Sequence, residues 1–207
     1  METGELSRSA LQKMIATKWK IEDDSAWQEQ YAMPDQDLVL IGFPGLAGTG
    51  IVAEQKEEQL LQWFSRPFVE EAHQCLEMSL SIPEDMTAGC QVSAVQLVLE
   101  GGIYRALWEL AKKAGIGLEI SIEDIVMKQQ TIELCEKYDL NPYQLLSGGC
   151  VLVATSQGRK LIDTLQRRDI PARIIGHTTA SREKLIYRQG KTGNLEASRQ
   201  DELYKIC

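Results

Sequence analysis

The residues with the most chemical promise are glycines in front of helical stretches. In "LVLEGGIYRALWELAKKAG" (97–115), Glu100, Gly101 and Gly102 stand directly before an amphipathic segment. The first N–H groups of a helix lack intrahelical partners and carry the positive end of its dipole, so a side-chain-free loop there can admit a phosphate. A second loop, "FPGLAGTG", offers Gly48, Thr49 and Gly50, with Thr49 its only hydroxyl. It lacks the Lys-Ser/Thr pair that closes a phosphate loop and the spacing of a dinucleotide fingerprint, which favours a strand-to-helix corner. Glu100 beside the first loop opposes an anion by its own charge, and paired glycines also let backbones approach closely.

Other candidates are scattered. Ser147 and Gly148 precede an apolar run, "CVLVAT", and His177 sits in "IIGHTTAS" among Thr178, Thr179 and Ser181, where a turn competes with a ligand role. His73 lies three residues after Glu70 and four before Glu77, one helical face that reads as solvated rather than as a metal site. Cys207 ends the chain after Lys205, a cation able to favour thiolate slightly. The five cysteines include no Cys-x-x-Cys pair and read as reduced thiols.

Elements that could position these groups follow from periodicity. Leu6, Leu11, Met14, Ile15 and Trp19 predict a helix over 5–19, followed by a polar connector to residue 36. "DLVLI" predicts a strand; "LAGTGIVAEQKEEQL" and "PFVEEAHQCLEM" predict helices, the second behind Pro67. "QVSAVQLVL" reads as a strand, 103–114 as a helix ended by Gly115, and "GLEISI" as the strand completing a strand–helix–strand unit. Further on come a helix at 129–138, a turn at "NPYQLL", strands at "CVLVAT", "ARIIGHTT" and "KLIYRQG", and an amphipathic helix with Leu161, Ile162 and Leu165 inward. Interleaved strands and helices imply a sheet covered by helices on at least one face.

The chain has 207 residues, 43% of them hydrophobic, with 30 acidic against 22 basic side chains and a net charge of −8. That balance speaks against sequence-independent nucleic-acid binding. No stretch reaches the ~18 apolar residues of a membrane span, and the first residues lack the ~7–15-residue apolar core of a signal peptide, so a cytoplasmic location is expected.

The segment "EGGIYRALWELAKKAGIGLEI", with "NPY" at 141–143 and "LLSGGCVLV" at 145–153, resembles the C-terminal domain of the aminoimidazole ribonucleotide synthetase-related superfamily, and within it HypE-type hydrogenase maturation factors. The resemblance extends over about residues 37–190. It implies an α+β fold, a layered α/β/α domain with a mixed sheet, over 37–207. Relatives carry Asp-x-Thr-x-Gly-Gly before the helix; here Leu97 and Leu99 stand at the Asp and Thr positions. Relatives precede this domain with an ATP- and magnesium-binding half, for which residues 1–36 leave no room, so those cofactors are expected only with a partner domain. The HypE tail carries its chemistry on a terminal thiol after Pro-Arg-Ile/Val; here Tyr204 and Lys205 replace Pro-Arg, while Ile206 and Cys207 fit. The reading that follows is a non-catalytic binding or assembly protein, a homodimer or bound to a protein partner. The alternative is a component of an ATP-dependent maturation enzyme that binds nucleotide or phosphate at the glycine loops.

Overall fold

A computed structural model describes residues 31–81, 87, 89–198 and 200–206, together with Lys13 and Thr17. The helix expected over 5–19 and the terminal Cys207 lie outside the described residues, those two positions of the helix excepted.

"DLVLI" forms β1 (Asp37–Ile41), an interior strand of a seven-stranded sheet. It pairs antiparallel with β4 (Val151–Thr155) on one side and β5 (Ala172–Thr179) on the other. Beyond β4 lies the edge strand β2 (Ala94–Leu97); beyond β5 lie β3 (Gly117–Ser121), β6 (Lys184–Arg188) and β7 (Lys191–Asn194). Only β3 and β6 pair in parallel, so the sheet is mixed. "ARIIGHTT" is β5 from end to end, whereas the strand expected over 91–99 shortens to four residues.

A central strand has no solvent face, which explains why β1 and β4 are continuous apolar runs rather than alternating ones. Leu38, Leu40, Leu152 and Ala154 pack on α3 (Gly102–Ala114) through Ile103, Leu107 and Leu110. Val39, Ile41, Val151 and Val153 pack on α5 (Gly158–Gln166) through Leu161 and Leu165. The fold is therefore α+β with helices on both faces of a mixed sheet. The strand–helix–strand unit expected around α3 does form, but β4, β1 and β5 lie between its two strands, so α3 crosses a sheet face rather than joining neighbours.

A third core stands apart from the sheet faces. There α1 (Leu46–Leu60), α2 (Arg66–Ser79) and α4 (Gln129–Lys137) gather Ile51, Val52, Ala72, Leu76 and Leu134 around Leu145, Leu146 and Leu203. Leu145 and Leu146 come from the segment joining α4 to β4, and Leu203 from a short 3₁₀ turn at Glu202–Lys205.

Candidate functional site

The glycine pair opens α3 as its composition suggests. Gly101 and Gly102 take left-handed backbone angles, φ +79° and +64°, conformations that favour glycine. A methyl on Gly102 would meet the carbonyl oxygens of Tyr143 at 2.5 Å and Leu145 at 2.9 Å, so the pair also lets segment 141–149 lie flat against the helix start. Ser147 N–H completes the junction by donating to Leu99 O at 3.2 Å.

An anion does occupy this helix start, and it belongs to the chain itself. Asp201, 1% exposed, accepts from Gly101 N–H at 2.6 Å through Oδ2, and from Leu146 N–H at 3.0 Å and Leu203 N–H at 2.9 Å through Oδ1. Burial pushes its carboxyl up to about 6, the three N–H donors work in the opposite direction, and Glu100 adds a smaller rise. Glu100 itself, half-buried, accepts from the Tyr204 hydroxyl at 3.2 Å and lies 4.0 Å from Arg105.

The second loop is closed by the same segment. Gly45 N–H donates to the buried Ser147 Oγ at 2.8 Å, and Gly48 N–H to Leu146 O at 2.8 Å. Thr49 turns its hydroxyl inward, donating to Gly45 O, and shares a 2.7 Å hydrogen bond with Thr131 of α4. Gly48 packs beneath Leu145 and Gly50 against Leu76 of α2. Gly148 is buried just before β4. Gly48, Thr49, Gly101, Gly102, Ser147 and Gly148 thus converge on one hub, in which the chain supplies its own partners.

Residues 34–188 match the family model "AIR synthase related protein, C-terminal domain". The chain belongs to that family. A Methanocaldococcus jannaschii protein named for hydrogenase expression and formation is 26% identical over 102 residues, 47% of this chain and 30% of the relative. E. coli HypE shares the fold at 19% identity with a TM-score of 0.63, covering 87% of this chain and 55% of HypE. HypE in a HypE–HypF complex matches at 19% identity with a TM-score of 0.57, covering 81% of this chain and 54% of that one. The chain thus spans about a third of the curated relative and about half of these HypE chains.

The remaining expected residues of this AIR synthase-related domain lie away from the hub. His177 sits within β5, exposed, its Nε2 3.6 Å from Glu119 Oε2 on β3. It borders a shallow cleft with Asp35, Asp37 and Asp124. His73 faces Glu57 of α1 at 3.8 Å rather than its own-helix carboxylates, and no metal-binding cluster of His, Cys, Asp and Glu occurs among the described residues. Cys75, Cys90, Cys135 and Cys150 are free; burial, then Glu202 and Asp201, push the Cys135 thiol up to about 12, which keeps it unreactive. Segment 201–206 leading to Cys207 is docked, with Leu203 fully buried and Tyr204 and Ile206 packed on the helical core. No described helix is long and apolar enough to cross a membrane.

Sequence reasoning missed Asp201, the residue that closes the α3 start. Its only local signal is an Asp ahead of the "ELYK" turn, where it caps Leu203 N–H. The contact with Gly101 spans 100 positions, and nothing near either residue announces it.

Proposed function

We propose that this AIR synthase-related domain serves in binding or assembly rather than in phosphoryl chemistry of its own. The observation that carries the reading is the Asp201 carboxylate on Gly101 N–H. A phosphate approaching the start of α3 would meet a buried negative group already bonded there, with Glu100 close by. The second loop supports the same reading, because Gly45 and Gly48 N–H groups are taken by Ser147 and Leu146. Leu97 and Leu99 bring no polar atom to replace what relatives carry there.

A protein partner is the binding target this reading favours. HypE has been seen in complex with HypF, and here Trp63, Leu80 and Ile132, each about half exposed, give the helical core an apolar outer surface. A second copy of the chain is the other partner to test, and ATP with magnesium would act through a partner domain.

The deciding experiment is an amide-resolved NMR titration of the full chain with ATP and magnesium. The expected result is that the Gly101, Gly102, Gly48 and Thr49 resonances stay in place. Saturable shifts at those four amides would overturn the reading and favour the nucleotide-binding alternative. Sedimentation velocity on the chain alone then separates monomer from homodimer.

A further inference from the structure

Beside the closed hub, the first turn of α3, the 3₁₀ turn at Pro142–Gln144 and the β6–β7 hairpin enclose a cleft of about 350 Å³. Its wall holds Tyr104, Asn141, Gln144, Arg188, Lys191 and Asn194. The size is within the ~300–1,000 Å³ range of small-molecule sites.

The chemistry of this wall departs from that of the chain. The whole sequence carries −8, yet Arg188 and Lys191 both face the cleft, and among the described residues neither has a carboxylate within ion-pair distance. The Gln189 N–H holds the Glu123 carboxyl low, with Arg188 adding a small pull in the same direction, and the Arg188 guanidinium stands 6.0 Å over the Tyr143 ring. Glu196 is the only acidic residue of the lining. Tyr104 is the aromatic side chain of the lining, and its ring stacks on Tyr143 at 5.3 Å, 10° from parallel, which holds it in place. Burial and the Tyr143 neighbour push the Tyr104 hydroxyl up to about 12, so at neutral pH it keeps its proton and can donate. The Gln144 and Asn194 side-chain amides also line the cleft.

We propose that this cleft binds a small phosphorylated molecule with a planar ring, the phosphate held by Arg188 and Lys191 and the ring lying against Tyr104. Unpaired cations in an acidic protein select an anion, Arg offers a planar fork suited to phosphate oxygens, and the amides of Asn141, Gln144 and Asn194 supply neutral donors and acceptors for the ring edge. The site is separate from the glycine loops and does not depend on whether they bind anything.

Phenyl phosphate, which combines both features in one compact probe, tests this by NMR titration of the full chain. The expected result is saturable shifts at the amides of Tyr104, Gln144 and residues 188–194, with a Kd of about 1 mM or tighter. Inorganic phosphate should bind the same amides more weakly and phenol should leave them unmoved. The double variant Arg188→Gln, Lys191→Gln should bind about tenfold or more weakly while keeping its dispersed spectrum, because it removes only charge-assisted contacts on an exposed hairpin. Absence of saturation, equal affinity in the double variant, or shifts confined to Gly101 and Gly102 would each overturn the proposal. The last outcome would also count against the closed-loop reading, whereas the first two would leave that reading standing.

Discussion

Replacing Asp201 by Asn probes the closure of α3 and makes a pH-dependent prediction. Asn retains one carbonyl oxygen for the Leu146 and Leu203 N–H groups, but its amide NH₂ then faces Gly101 N–H and leaves that donor unpaired. An orphaned buried donor costs about 1–3 kcal/mol. A second effect runs the other way. Burial raises the Asp201 carboxyl from 3.8 to about 6, so between those values the folded chain holds a proton that the unfolded chain has released. Stability from this group is therefore full below about pH 4 and is lost as pH rises through about 6. At about 1.4 kcal/mol per pH unit, the loss comes to about 3 kcal/mol.

Asn has no such titration. Wild type should exceed Asp201→Asn by about 1–3 kcal/mol near pH 4, and that advantage should shrink by about 3 kcal/mol towards pH 7, ending close to zero or reversed. Urea unfolding of both chains, followed by circular dichroism across this range, reads the difference while titrations common to both cancel. A difference that stays constant with pH, or one that widens as pH rises, would refute the reasoning. It would mean that the three N–H donors outweigh desolvation and hold the carboxyl low.

Three further outcomes are expected. Gly102→Ala should lose about 2–4 kcal/mol in the same unfolding assay, because φ is +64° and the added methyl collides with the Tyr143 carbonyl oxygen rather than with a movable side chain. Ser147→Ala should lose about 1–3 kcal/mol by stranding Gly45 N–H at the start of α1. Cys207→Ser should leave the unfolding midpoint and partner binding unchanged; abolished function in that variant would support the terminal-thiol chemistry of the HypE resemblance instead.

The parts of the fold that were legible in the sequence are those whose cause is local. β1 and β4 could be read from apolar runs bounded by glycine or proline, because burial on both faces writes itself into consecutive residues, and β5 from its apolar start behind Pro171. The limits of α3 could be read from Gly102 and Gly115, the latter at φ +69°. β7 could not: "KTGN" is exposed throughout and owes its strand to pairing with β6, which leaves no hydrophobic period to find. The crossing of α3 over three intervening strands was hidden for a similar reason, since strand order is decided by pairings distant in sequence.

The candidate site shows the same division with sharper consequences. Glycines before a helix announce a helix start with close backbone packing, and both loops have that. Whether the start is open to a ligand depends on what the rest of the chain brings to it. Here one segment, 141–149, lies between the loops, giving Ser147 Oγ and Leu146 O to the α1 start and pressing on Gly102 at the α3 start. Asp201 then ties Leu146 and Gly101 to the final turn of the described chain through a single carboxylate. Opening either loop to an anion would thus disturb the other and loosen segment 201–206, exposing Leu203 from the helical core. A ligand at the loops would have to offset the loss of those contacts before binding showed any net gain. At the neighbouring cleft, by contrast, Arg188 and Lys191 make no ion pair among the described residues, and an anion entering there displaces no buried carboxylate of the lining.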